Sequence, residues 1–202
     1  MQLSSSYVLD REAIKRHAYQ LICLFYANKE IARLSDPMHD YPDAAALLER
    51  AFFPRELTRL LLNIAIALRT LDDQMNAQPA MDPVRIAYVK ARDTINKQQS
   101  CMMFDVMSLR EACNKIIHAT TVEPHKVEGV EPHKYDQYMW EGWQQGHQTE
   151  PELEETAPKA LPWEHLSGLV RLGGMQGKKD WWHLLEVPVF VEAVHGLLSS
   201  DA

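Results

Sequence analysis

The sequence predicts a mainly α protein: a helical bundle of about five helices with a small β-hairpin near the C-terminus. Three observations carry that expectation. Apolar residues recur at three- and four-residue spacing through several segments, separated by breaks rich in Pro, Asp and Ser. The segment Ser108–Ala119 opens on Ser108 and Glu111, the spacing of a helix capping box. From His165 the pattern turns strand-like: LSGLVRL, a glycine-rich GGMQGKK, then DWWHLLEV.

The 202 residues suit one domain spanning 1–202, and 46% hydrophobic residues are enough to bury a full core. A net charge of −7 argues against a whole-surface electrostatic grip on nucleic acid or an anionic membrane, while leaving room for a local basic patch. Cys23, Cys101 and Cys113 are odd in number and far apart, which reads as reduced thiols in a cytoplasmic protein. No basic-then-apolar leader is present, and no apolar run reaches the ~18 residues a membrane span needs. Neither a leader nor a membrane location is therefore expected.

Asp10 is expected to cap a first helix reaching about Leu34, with Ile14, Ala18, Leu21, Phe25 and Ala32 on its buried face. Ser35-Asp36-Pro37 ends it. After Tyr41-Pro42, Asp43 starts a short helical piece containing Leu47 and Leu48. A new helix is expected to begin at Pro54, a residue suited to a first turn, and to run to about Met75. Its LLLNIAIAL segment is apolar nearly all round, which places the helix mid-bundle and makes Asn63 a buried amide needing partners. Arg69, Asp72 and Asp73 should mark where the helix meets water. A break at 78–83 precedes a weaker helix over Val84–Lys97, and residues 98–107 show no clear period. Residues 120–162 hold five of the eleven prolines and read as a loop-rich insertion, tacked to the body by Trp140 and Trp143. The hairpin is expected over 165–187. Pro188 then restarts a helix with Phe190, Ala193, Val194 and Leu197 on one face.

Ser108–Ala119 carries the clearest candidate site. With Leu109 at 0° and ~100° per residue, Leu109, Ala112, Cys113, Ile116, Ile117 and Ala119 share one face. Arg110, Asn114 and His118 form one polar stripe at i, i+4, i+8. Arg110 lies in the first turn, where a cation opposes the helix dipole, and His118 in the last, where the dipole favours imidazolium. Such a set can handle a phosphodiester: Arg stabilises transition-state charge and His moves a proton at a ribose oxygen. It can equally be a solvated face that ties down the following loop.

The segment LREACNKIIH, preceded by RLLLNIAIALRTLDD, resembles the HEPN superfamily. Members are small helical bundles in which a late helix carries an Arg, then four to six residues, then a His. The resemblance covers about residues 54–119 and implies RNA as substrate or ligand, with a homodimer that pairs two motifs and a setting in toxin–antitoxin or antiviral defence. Carried over, Arg110 is the phosphate contact, His118 the proton-transfer group and Asn114 the residue that orients them. Here seven residues separate Arg110 from His118, and Glu111 follows the Arg, so the family spacing is not met. A non-catalytic module for a protein partner is the rival reading.

Other features are weaker. VEPHK occurs at 122–126 and 130–134, and Glu123, His125, Glu131, His133, Asp136 and His147 could offer metal ligands without any known spacing. Gly173–Lys179 could cradle an anion, though a plain turn accounts for it. Trp163, Trp181 and Trp182 could stack on bases but more simply fill core. Arg85, Lys90, Arg92 and Lys97 offer a basic face diluted by Asp82 and Asp93. No cofactor and no metal is assigned.

Overall fold

A computed structural model describes residues 9–34, 44–98, 100–129 and 163–199. Its described elements are α1 (Arg11–Leu34), α2 (Ala44–Ala77), α3 (Pro83–Gln98), α4 (Leu109–His118), β1 (Thr121–Glu128), β2 (Glu164–Gln176), β3 (Lys179–Glu186) and α5 (Val187–Ser199). The protein is mainly helical, with one antiparallel sheet of order β1-β2-β3. Among the described residues no helix is long and apolar enough to cross a membrane.

The helix starts follow from their caps. Asp10 Oδ1 accepts the Ala13 amide at 3.0 Å, and Asp82 Oδ1 accepts the Val84 amide at 2.8 Å just after the break. At α4 the Ser108 hydroxyl accepts the Glu111 amide, while the Glu111 carboxylate accepts the Ser108 amide at 2.9 Å. Both halves of the capping box are thus made.

Helix α2 corrects two expectations. Pro54 does not start it: the helix is continuous from Ala44, with Pro54 inside. The missing amide leaves the turn without one backbone bond, but tertiary contacts hold the first three turns in line. Phe53 packs edge-on against Phe25 at 5.9 Å, and the Asn28 amide donates to Glu49 at 2.6 Å. Nor is α2 wrapped on every side. Leu57, Leu60, Leu61, Ile64, Ala65 and Leu68 are buried against α1 and α4, whereas Asn63 and Ile66 lie on an exposed face. Asn63 is therefore solvated, and its amide needs no buried partner.

The sheet is larger than the expected hairpin. β2 and β3 pair from Leu169↔Glu186 to Gln176↔Lys179 around Gly177-Lys178. Gly177 has φ 65 and leads the two-residue loop, as the first position of a type II′ turn requires. β1 adds a third strand along β2, so 121–128 is regular strand where loop was expected. Pro124 is compatible because β1 is an edge strand, and the pairing shifts between Pro124 and Lys126. The first VEPHK thus lies on a strand. The second copy, with Glu131, His133, Asp136 and His147, and Trp140 and Trp143, lies outside the described residues.

The inner sheet face, with Leu166, Val170, Leu172 and Leu185, closes one core with Leu21, Phe190, Val194 and the apolar face of α4. Burying a large aliphatic side chain of this kind stabilises by about 1.5–3 kcal/mol. Segment 100–107, without period in the sequence, works as an edge cap. The Glu186 amide donates to the Cys101 carbonyl at 2.8 Å and the Met103 amide to the Leu184 carbonyl at 2.9 Å. The result positions the C-terminal end of α4 beside the β2–β3 turn.

Candidate functional site

The stripe on α4 is split between two surroundings. At its N-terminal end Arg110 is drawn into an ion-pair cluster on α2. Its Nη1 donates to Asp72 Oδ2 and its Nη2 to Asp73 Oδ1 at 2.8 Å. Asp72 was expected at the water boundary; instead it is 4% exposed. It survives there because Arg92 Nη1 donates at 3.2 Å and the Tyr88 hydroxyl at 3.1 Å from α3, while Arg110 donates from α4. Burial alone would raise its pKa, but bonds from Arg110, Arg92 and Tyr88 outweigh it and hold the carboxyl below its ordinary value. Arg110 responds in turn: its bond to Asp73, then that to Asp72, raises its pKa against the cost of burial. The sequence does carry a signal for this cluster, since Asp72 falls on the same stripe as Leu61, Ile64 and Leu68. A carboxylate on an apolar stripe calls for buried cations.

This cluster also dissolves the expected basic face on α3. Arg92 turns inward to Asp72 and also pairs with Asp93 at 3.1 Å, and Arg85 donates to the Gln78 carbonyl. Lys90 and Lys97 remain exposed.

At the other end of the stripe, Asn114 and His118 open into a cleft of about 700 Å³ between α4 and the β2–β3 turn. Arg69, Glu111, Lys115, Gln176 and Trp181 also line it. Arg69 Nη1 donates to the Asn114 side-chain oxygen at 2.7 Å, and its Nη2 lies 3.8 Å from Asp73 Oδ2. Glu111, the one acid in the lining among the described residues, is occupied by the capping box, and bonds from Ser108 hold its carboxyl below the ordinary range. His118 is exposed, and among the described residues its imidazole has no hydrogen-bond partner.

The structure thus brings Asn114 and His118 together and adds Arg69 and Lys115, two cations that the sequence reading did not single out. It does not bring Arg110 into the same space. Arg110 lines a separate, nearly filled pocket with Asp72, Tyr88 and Arg92. One chain therefore does not join Arg110 to His118; the arginine that shares the His118 cleft is Arg69.

The remaining candidates find ordinary places. Trp163 is buried, and its carbonyl accepts the Gly129 amide at 2.9 Å. Trp181 packs on the glycine backbone of β2, whereas Trp182 is 58% exposed beside Arg171. Gly173 and Gly174 lie within β2 and Gly177-Lys178 forms the turn, so Gly173–Lys179 is not one anion cradle. His125 shares a 3.1 Å hydrogen bond with Ser167, and no metal-binding group of His, Cys, Asp and Glu is found among the described residues. Cys101 and Cys113 are buried thiols; burial pushes the first up to about 12 and the second higher, so neither is a thiolate at neutral pH.

Comparison with protein-family models, with curated proteins and with solved structures finds no match.

Proposed function

We propose that this is a HEPN-like RNA-binding protein whose RNA site is the cleft between α4 and the β-hairpin. The observation that carries the reading is the lining of that cleft: Arg69, Lys115, the Asn114 amide and a His118 imidazole without a hydrogen-bond partner among the described residues face one open space. Cations at a groove attract a phosphate backbone, and an amide and an imidazole supply the directional bonds to phosphate, ribose or base. A local patch of this size is compatible with a net charge of −7, because screening confines the field to within about 10 Å at ordinary salt.

Binding is favoured over cleavage. His118 retains the freedom to move a proton at a ribose hydroxyl, but Arg110 is committed to Asp72 and Asp73, and Arg69, the guanidinium that shares the His118 cleft, is bonded to Asn114. A homodimer that sets two stripes face to face would restore the pairing, and is the form in which cleavage belongs to this reading. The setting we infer is the cytoplasm, in a toxin–antitoxin or antiviral defence system. Three cysteine thiols, two of them buried, accord with a reducing compartment.

The test is fluorescence anisotropy with a short labelled single-stranded oligouridylate. The wild type should bind, more weakly as salt rises, and His118→Ala and Arg69→Gln should each weaken binding severalfold. Absence of binding at low salt would overturn the reading. It would favour the rival, a helical module for a protein partner, which the internal bonds of Arg110 and Asn114 and the exposed Leu47, Leu48 and Phe52 of α2 support.

A further inference from the structure

We infer that Lys115 is the phosphate-contacting cation of the cleft and that Trp181, seated on Gly174, is its positioning residue. This rests on the RNA-binding reading and names the group that does the work Arg110 was expected to do.

Three observations converge on Lys115. Its Nζ stands 4.5 Å from the centroid of the Trp181 ring, a cation–π distance. The other basic groups around the stripe meet carboxylates: Arg110 on Asp72 and Asp73, Arg92 on Asp72 and Asp93, and Arg69 near Asp73. Among the described residues Lys115 makes no ion pair within 4.0 Å; Glu111, one turn back, is bonded to Ser108, although the Lys115 charge helps to lower its pKa. The Lys115 ammonium rests on a neutral ring, acts on Glu111 only at longer range, and remains accessible to an anion in the cleft. Finally, Lys115 stands three residues before His118, on adjoining turns of α4, so both address the same cleft.

The platform beneath is built by the backbone. A Cβ on Gly174 would fall 2.4 Å from Trp181 Cζ2 and 2.9 Å from the His118 carbonyl oxygen. Only glycine lets β2 approach the end of α4 while the Trp181 indole packs against it. With Gly174 beneath Trp181 and the Lys115 ammonium over its ring, the ring holds a cation in place and is not an open stacking surface for a base.

The experiment measures oligouridylate affinity over a range of salt for the wild type, Lys115→Gln, Trp181→Phe, Trp181→Leu and the Lys115→Gln/Trp181→Leu double variant. Circular dichroism confirms folding of each. Lys115→Gln should weaken binding several-fold and reduce the log–log salt slope by about 0.7, the loss of one contact on a single strand. Trp181→Phe keeps an aromatic face and should retain most of the affinity. Trp181→Leu should approach the Lys115→Gln value, and the double variant should be no weaker than Lys115→Gln alone. Wild-type binding with an unchanged slope in Lys115→Gln would overturn this inference and leave the cleft reading standing. Additive losses in the double variant would also overturn it, since Trp181 would then act without Lys115. No binding by the wild type would overturn both.

Discussion

Asp72 is the side chain on which three helices converge. From α2 it accepts bonds from Tyr88 and Arg92 of α3 and from Arg110 of α4. Removing one side of a buried pair leaves the other uncompensated, so Asp72→Asn should destabilise the protein by about 3 kcal/mol, measured by urea unfolding. The pH dependence has a definite sign. Because the folded carboxyl lies below its ordinary value, its stabilisation is complete above about pH 4 and fades as pH falls through the lower folded value. The wild type should lose stability in that acid range, and Asp72→Asn should lose less. Equal acid sensitivity in both proteins would refute a depressed Asp72. Tyr88 is part of the same arrangement: burial first, then the neighbouring Asp72, pushes its hydroxyl up, so it remains a donor through the whole range.

At the scale of elements, the joint between α4 and β2 builds the cleft. Gly174→Ala should displace Trp181 and the end of α4, costing about 1–3 kcal/mol by overpacking and weakening RNA binding with it. Retained stability together with retained binding would contradict the close approach. A second element tests a different link. Pro54 sits on the exposed side of α2, where it removes one helical hydrogen bond. Pro54→Ala should therefore raise stability by about 2 kcal/mol, read from the urea midpoint at unchanged slope. A loss of stability would mean that the proline serves a bend which the packing of Phe53 on Phe25 requires.

Across the whole molecule, local features follow from the sequence and long-range ones do not. Local rules were legible: the Asp10 cap, the capping box at Ser108 and the apolar face of α4 stand where spacing put them, while the β2–β3 turn narrows from the expected Gly173–Lys179 stretch to Gly177-Lys178. The mainly helical class follows from the same rules. What escaped is non-local. Pro54 reads as a helix start, the place proline favours, and contacts from α1 hold it inside α2 instead. β1 was hidden by a proline that only an edge strand tolerates, and its pairing partner lies some 40 residues away in sequence. For the candidate site, the stripe was visible but its division was not. Asp72 and Arg69 on α2 decide that Arg110 faces a carboxylate cluster while Asn114 and His118 face the cleft. Trp181 likewise reads as core filler until Lys115 is placed over it.

The central claim is that RNA enters the cleft beside His118. Its most direct test follows the histidine ring signals by NMR during titration with single-stranded oligouridylate, His118 being assigned from the His118→Gln spectrum. If RNA enters there, the His118 signals should show a saturable shift. His183, which is paired with Asp105 at 2.8 Å, and His195, beside Ser199 on α5, should hold still. Unmoved His118 signals at RNA concentrations that saturate binding would contradict the account.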